Sequence, residues 1–195
     1  MVVLTGTFTL TAFAKSKGGI GSPKPEGSVV QSGQTWTVTG GGADIFGPSD
    51  QFHFVSNSAS GNCTLTAKVM SVGDDTAHDW AKAALMIRAD DGVGAPHASI
   101  SVSHGGTIEF LTRNMAGGDT KSTAVPNMAA PVFLRIVRTG NDFAASYSQD
   151  GKQWTAVGMT MTVPMKNAAL AGMAVTSHAD GVACKAVFSN FVMKR

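Results

Sequence analysis

The chain has 195 residues, of which 43% are hydrophobic and only 14% charged, with 23 glycines and a formal net charge of +2. That size fits one domain able to bury its own core. The 15 Lys and Arg are scattered, with no basic run to track phosphates, which argues against a nucleic-acid partner, and no apolar run reaches the ~18 residues of a membrane span.

In chain order, residues 1–14 allow two readings. They are either the apolar part of a secretory signal ending at Ala12-Phe13-Ala14, or a Thr-rich strand in which Phe8, Leu10 and Ala12 alternate with threonines. Residues 15–27, rich in Gly, Pro and Lys, form a linker. The division is therefore an N-terminal segment and linker over 1–19 and a folded domain over 20–195. Residues 28–32 and 34–39 predict a short hairpin ended by Gly40-Gly41-Gly42, and 43–50 predict a loop with an apolar plug, Ile45-Phe46. A strand over 51–56 points Phe52 and Phe54 one way and His53 the other. A strand over 63–72 alternates Cys63, Leu65, Ala67 and Val69 against polar neighbours.

Three strands then follow in close succession, over 80–88, 97–103 and 107–113. In the middle one Ala98, Ile100 and Val102 fall on one side and His97, Ser99, Ser101 and Ser103 on the other, the period of a strand with one dry and one wet face. Residues 114–130 predict a long polar crossing over the outside. Strands follow over 132–138 and 142–148, and a tight turn at Asp150-Gly151 leads into 153–157, with both central positions expected at positive φ. A continuous apolar run over 168–176 predicts a strand buried on both sides, His178 to Gly181 turns the chain, and 182–193 closes it with Val187, Phe188 and Phe191 as core candidates. About a dozen strands with regular turn signals and no amphipathic helix indicate an all-β, two-sheet antiparallel sandwich.

Cys63 and Cys184 are the only cysteines and could pair. Against this, each opens a predicted strand. If those strands are antiparallel neighbours in register, the thiols lie at opposite ends, on the order of 25 Å apart, whereas a bridge needs Cα atoms within about 7 Å.

Several segments, in order, resemble the concanavalin A-like lectin/glucanase domain family of the regulation-of-enolase type. They are Gly42-Ala-Asp-Ile-Phe-Gly47, Asp50-Gln-Phe-His-Phe54, Leu65-Thr-Ala-Lys-Val69, Trp80-Ala-Lys-Ala-Ala-Leu-Met-Ile-Arg88, His97-Ala-Ser99 and Ser148-Gln-Asp-Gly-Lys-Gln-Trp154. The resemblance covers roughly residues 20–193. It implies a jelly roll of two stacked sheets in a bacterial, secreted or cell-surface protein, and a fold more firmly than a function.

On the strand alternation, Arg88, His97, Ser99, Ser101, Glu109 and Arg113 gather on one polar sheet face, with Trp80 or Met86 as an apolar platform. This set is the candidate ligand site, for a polysaccharide or glycan. The competing expectation is an ordinary solvated face with ion pairs such as Glu109 with Arg88 or Arg113. Catalysis by paired carboxylates is the weakest option, since the chain has only two glutamates, Glu26 and Glu109, and no catalytic residue is assigned. No cofactor is expected. Calcium is conceivable at Asp74, Asp75 and Asp79 or at Asp90 and Asp91, without the spacing of a dedicated loop, and the five dispersed histidines suggest no transition metal. Trp36 and Trp154 are expected to cover core ends. The alternative to glycan binding is a structural or adhesive subunit that packs against other surface proteins through its sheet edges.

Overall fold

The computed structural model describes residues 18–195. Its strands are β1 (Gly19–Ile20), β2 (Ser28–Ser32), β3 (Thr35–Gly42), β4 (Asp44–Phe46), β5 (Ser49–Ser60), β6 (Cys63–Val72), β7 (Lys82–Arg88) and β8 (His97–Ser103). The second half adds β9 (Thr107–Arg113), β10 (Lys121–Pro126), β11 (Val132–Thr139), β12 (Asp142–Ser148), β13 (Thr155–Ala156), β14 (Met161–Thr162), β15 (Ala168–Thr176) and β16 (Ala179–Lys194). The predicted signal-like or strand-forming stretch over 1–14 lies outside the described residues.

The strands form two sheets. Sheet I runs β1-β5-β15-β7-β8-β9-β10, with β4 attached to β5, and sheet II runs β13-β12-β11-β6-β16-β3-β2, with β14 on β12. Neighbours pair antiparallel, as in β7 with β8 and β6 with β11. The protein is thus the all-β sandwich that the turn spacing indicates. Alternation places Ala83, Leu85 and Ile87 of β7, and Ala98, Ile100 and Val102 of β8, in one core with Leu65, Ala67 and Val69 of β6 and Leu134 and Ile136 of β11. Each large aliphatic side chain buried there contributes about 1.5–3 kcal/mol.

Several expectations change. Gly40 to Gly42 are themselves the last residues of β3, which ends at Gly42. The glycines serve close approach: a β-carbon on Gly40 would overlap the carbonyl oxygen of Val175 on β15. The polar 114–130 stretch contains β10, paired along β9 from Lys121 opposite Thr112 to Pro126 opposite Thr107. The expected strand over 153–157 is only Thr155–Ala156. In the turn before it only Gly151 has positive φ. Asp150 shapes that turn instead, its Oδ1 accepting from Ser148 Oγ and from the amides of Lys152 and Gln153. The apolar plug is Ile45 alone, which is fully buried, while Phe46 is 46% exposed. In β16 the pairing with β6 shifts between Ser189 and Val192, and Asn190 adopts φ 53°. The extra residue re-aims Phe191 inward after Phe188, and Ala186 rather than Val187 joins the core.

Cys63 and Cys184 are free and buried. β6 and β16 are antiparallel neighbours, with Ala186 opposite Val72 and Lys194 opposite Thr64, so the two cysteines do lie at opposite ends. Burial pushes the Cys184 thiol up to about 11 and raises that of Cys63. Ellman's reagent at pH 8 is expected to label neither cysteine in the native protein and both in 6 M guanidinium; fast labelling of the folded chain would contradict this packing.

Candidate functional site

The strand alternation that fills the main core turns a second set of side chains to the outer face of sheet I. Lys82, Ala84, Met86 and Arg88 of β7 lie in register with Ser103, Ser101, Ser99 and His97 of β8. Beyond them, Ser101, Ser99 and His97 meet Glu109, Leu111 and Arg113 of β9. The six strand residues of the candidate set therefore share one face. That face is not the solvated surface expected: Arg88, His97, Ser99, Ser101 and Arg113 are 0% exposed and Glu109 6%. The cause is a second, smaller core on this side, in which Ile45 of β4, Ile20, Phe52, Phe54, Ala84, Met86, Leu111 and Ala174 pack together. Met86 is therefore no platform.

At one end of the face the two arginines meet a partner that strand periodicity does not reveal. Asp50, fully buried, accepts from Arg113 Nη2 and Nη1 at 2.6 and 2.7 Å and from Arg88 Nη1 at 3.1 Å. The expected pairs of Glu109 with Arg88 or Arg113 do not form. Arg113 also donates to the carbonyls of Gly47, Ala95 and Gly118, and Arg88 to those of Asp90 and Gly92. The guanidinium pair thus ties together the β4–β5 turn, the β7–β8 loop and the β9–β10 loop. Its role is architectural: it fixes a carbonyl of each of those loops to one buried charge cluster. His97 lies between the arginines in register, and burial, with both positive charges, holds its pKa well below 6.5, so it is neutral.

The opposite end of the face is less completely covered, with Asp44 and His178 partly exposed beside a buried Lys82. Trp80 is 42% exposed. Its backbone N–H donates to His78 Nδ1 at 3.0 Å, and Gly105 N–H and His104 N–H reach back to the carbonyls of Asp79 and Ala81, so the ring is presented by a tied loop. Lys82 Nζ lies 5.5 Å from the Trp80 ring centroid, 2.7 Å from Asp44 Oδ1 and 3.9 Å from Glu109 Oε2. Ser122 Oγ donates to Glu109 Oε1 at 2.9 Å. His178 Nδ1 sits 3.2 Å from Asp44 Oδ2 without hydrogen-bond alignment, and its ring packs against that of His78 at 4.5 Å, tilted by 41°. An indole, an ammonium, two carboxylates and two imidazoles thus converge here. Only Trp80 and Glu109 of this group belong to the sequence-derived set. Lys82 was legible as a lone charge in phase with Met86 and Arg88; Asp44 and His178 carry no periodic signal.

Among the described residues, no three His, Cys, Asp or Glu side chains come together to hold a metal. Asp74 instead accepts from the amide and hydroxyl of Thr76. Trp36 is buried in the main core. Trp154 packs edge-on against Phe133 and under the Arg135 guanidinium, 3.6 Å from its centroid. No helix among the described residues is long and apolar enough to cross a membrane.

No family model matches the chain, and no curated protein matches it. Solved structures do share its fold, a two-sheet antiparallel β-sandwich. A functionally unknown protein from Saccharomyces cerevisiae superposes with a TM-score of 0.69 at 19% identity, covering 91% of this chain and 95% of that one. The carbohydrate binding module CBM66 from Bacillus subtilis gives 0.57 at 14% identity, covering 87% and 92%. Arcelin-5, a lectin-like defense protein from Phaseolus vulgaris, gives 0.52 at 10% identity, covering 86% and 89%.

Proposed function

We propose that this protein is a carbohydrate-binding module of the regulation-of-enolase type, secreted or at a bacterial cell surface, that takes a glycan at the Trp80 end of sheet I without catalysing its cleavage. The observation that carries this is the exposed Trp80 ring beside Lys82, whose ammonium is held by Asp44 and Glu109. A sugar presents an apolar C–H face and a rim of hydroxyls, and such sites pair an aromatic surface with a few fixed polar groups. The shared sandwich with a carbohydrate-binding module and a lectin-like protein supports the same class. Glycoside hydrolysis fits less well. The two carboxylates converge on one ammonium, which fills the gap that a scissile bond and a water would need. No cofactor is needed for binding of this kind.

A second possibility, assembly with other surface proteins, has one feature in its favour. Strand β2 sits at the end of sheet II with Val30 65% exposed, and an edge of that kind can pair with another chain. Affinity electrophoresis on a panel of plant and bacterial polysaccharides separates the two. We expect retardation on at least one glycan, reduced about 10-fold or more in affinity by Trp80→Ala. No retardation on any glycan, together with concentration-dependent oligomers in light scattering, would favour assembly.

A further inference from the structure

We propose that the outer face of sheet I also holds an inner hydroxyl-binding pocket, beneath β4 and continuous with the Trp80 end, that receives one or two uncharged sugar residues of the ligand; this rests on the glycan function proposed above. The observation is a file of buried polar atoms. Among the described residues, His97 Nδ1 and Nε2, Ser99 Oγ and Ser101 Oγ have no hydrogen-bond partner, and Glu109 Oε2 has only the Lys82 ammonium at 3.9 Å, although all four side chains are more than nine-tenths buried. They are not scattered. His97, Ser99 and Ser101 are alternate residues of β8, and Glu109 lies directly across from Ser101. The file therefore spans about 14 Å along one strand. Leaving one such group unpaired costs about 1–3 kcal/mol, so a row of them is retained where a partner from outside the fold completes it.

The chemistry of the file selects that partner. Each serine hydroxyl both donates and accepts, a neutral histidine does one of each, and the glutamate only accepts. An anion would meet the Glu109 carboxylate, and a cation would meet Arg88 and Arg113 on either side of His97. Hydroxyl groups, which donate and accept in turn, suit every member. The Arg88–Asp50–Arg113 cluster closes the far end. The roof is Ile45, which packs with Met86 and Leu111, the residues flanking Ser99, and with Ala84, beside Ser101. Strand β4 pairs only with β5 and is fastened at the Trp80 end by Asp44 on Lys82. Entry is from the Trp80 side, with Asp44 released from Lys82 and the Gly47 end still held by Arg113.

Thermal unfolding in titrations of D-glucose, D-galactose, D-xylose and sorbitol tests this on the full chain, with Ser99→Ala, Ser101→Ala, the double variant and Trp80→Ala. Without sugar, the serine variants are expected to melt at or above the wild-type temperature, because they remove unpaired buried hydroxyls. With sugar, the wild-type Tm is expected to rise with concentration, and Trp80→Ala to keep that rise even where its polysaccharide retardation is lost. The double variant is expected to lose the saturable part of that rise, keeping only the general stabilisation that sugars and polyols give any folded chain at high concentration. A wild-type Tm that no sugar moves, a double variant that responds like wild type, or serine variants that melt several degrees lower would each overturn the inner pocket. Polysaccharide retardation that depends on Trp80 would survive those results, so the two proposals fail separately.

Discussion

Replacing Asp50 by alanine is expected to destabilise the fold by about 3–5 kcal/mol, the usual consequence of leaving a buried charge without its partner. Asp50 is the carboxylate between Arg88 and Arg113, and all three side chains are 0% exposed. Without it, two guanidinium groups face each other across a dry interior. Their remaining bonds run to neutral carbonyls, which do not offset the charge. Most domains have only about 5–15 kcal/mol of net stability, so a large share of the variant can be unfolded at equilibrium. Urea denaturation followed by tryptophan fluorescence measures the effect. A loss below about 1 kcal/mol would mean that the guanidinium pair does not depend on this carboxylate.

The second large effect is a loss of stability in acid. Burial lowers the pKa of His97 well below 6.5, with Arg113 and Arg88 adding to it, and burial also lowers that of His53 against the opposing charge of Glu26. A histidine depressed in the native state stays neutral there while its unfolded counterpart takes a proton. The unfolded chain thus binds more protons, and stability falls as pH drops below about 6.5. His97, the more strongly depressed, contributes a slope approaching about 1.4 kcal/mol per pH unit in that window, and His53 acts in the same direction. Equilibrium unfolding between pH 7.5 and 5 is expected to show this slope, and His97→Gln to reduce it by about one proton. An unchanged slope in the variant would place His97 in contact with solvent.

Much of the sandwich was legible in the sequence because its signal is local. Alternation in β6, β7 and β8 assigned the inward residues, and the continuous apolar run of β15 marked a central strand. Strand β10 was not legible: five of its six residues are exposed, so nothing repeats at period two. The bulge at Asn190 escaped because it changes the phase of a strand without changing its composition. At the candidate site, periodicity placed Arg88, His97, Ser99, Ser101, Glu109 and Arg113 on one face, and it does so in the structure. It gave no sign that the face is roofed. The roof comes from Ile45, and the arginine partner from Asp50, which stand 38 or more positions before Arg88 and Arg113. Only the return of β4 and β5 across sheet I brings them there. The two arginines, expected beside a ligand, turned out to fasten loops. Trp80 stayed exposed because it precedes β7, outside the region that β4 covers.

The most direct test of the Trp80 end as the binding surface is amide and indole chemical-shift mapping of the labelled protein as a retarding glycan is added. Shifts are expected at the Trp80 indole N–H and at Asp44, Lys82, Glu109 and His178, tapering along Ser101 and Ser99. Shifts confined to Phe46, Val93 and Met115 at the far loops, with the Trp80 indole unmoved, would contradict it.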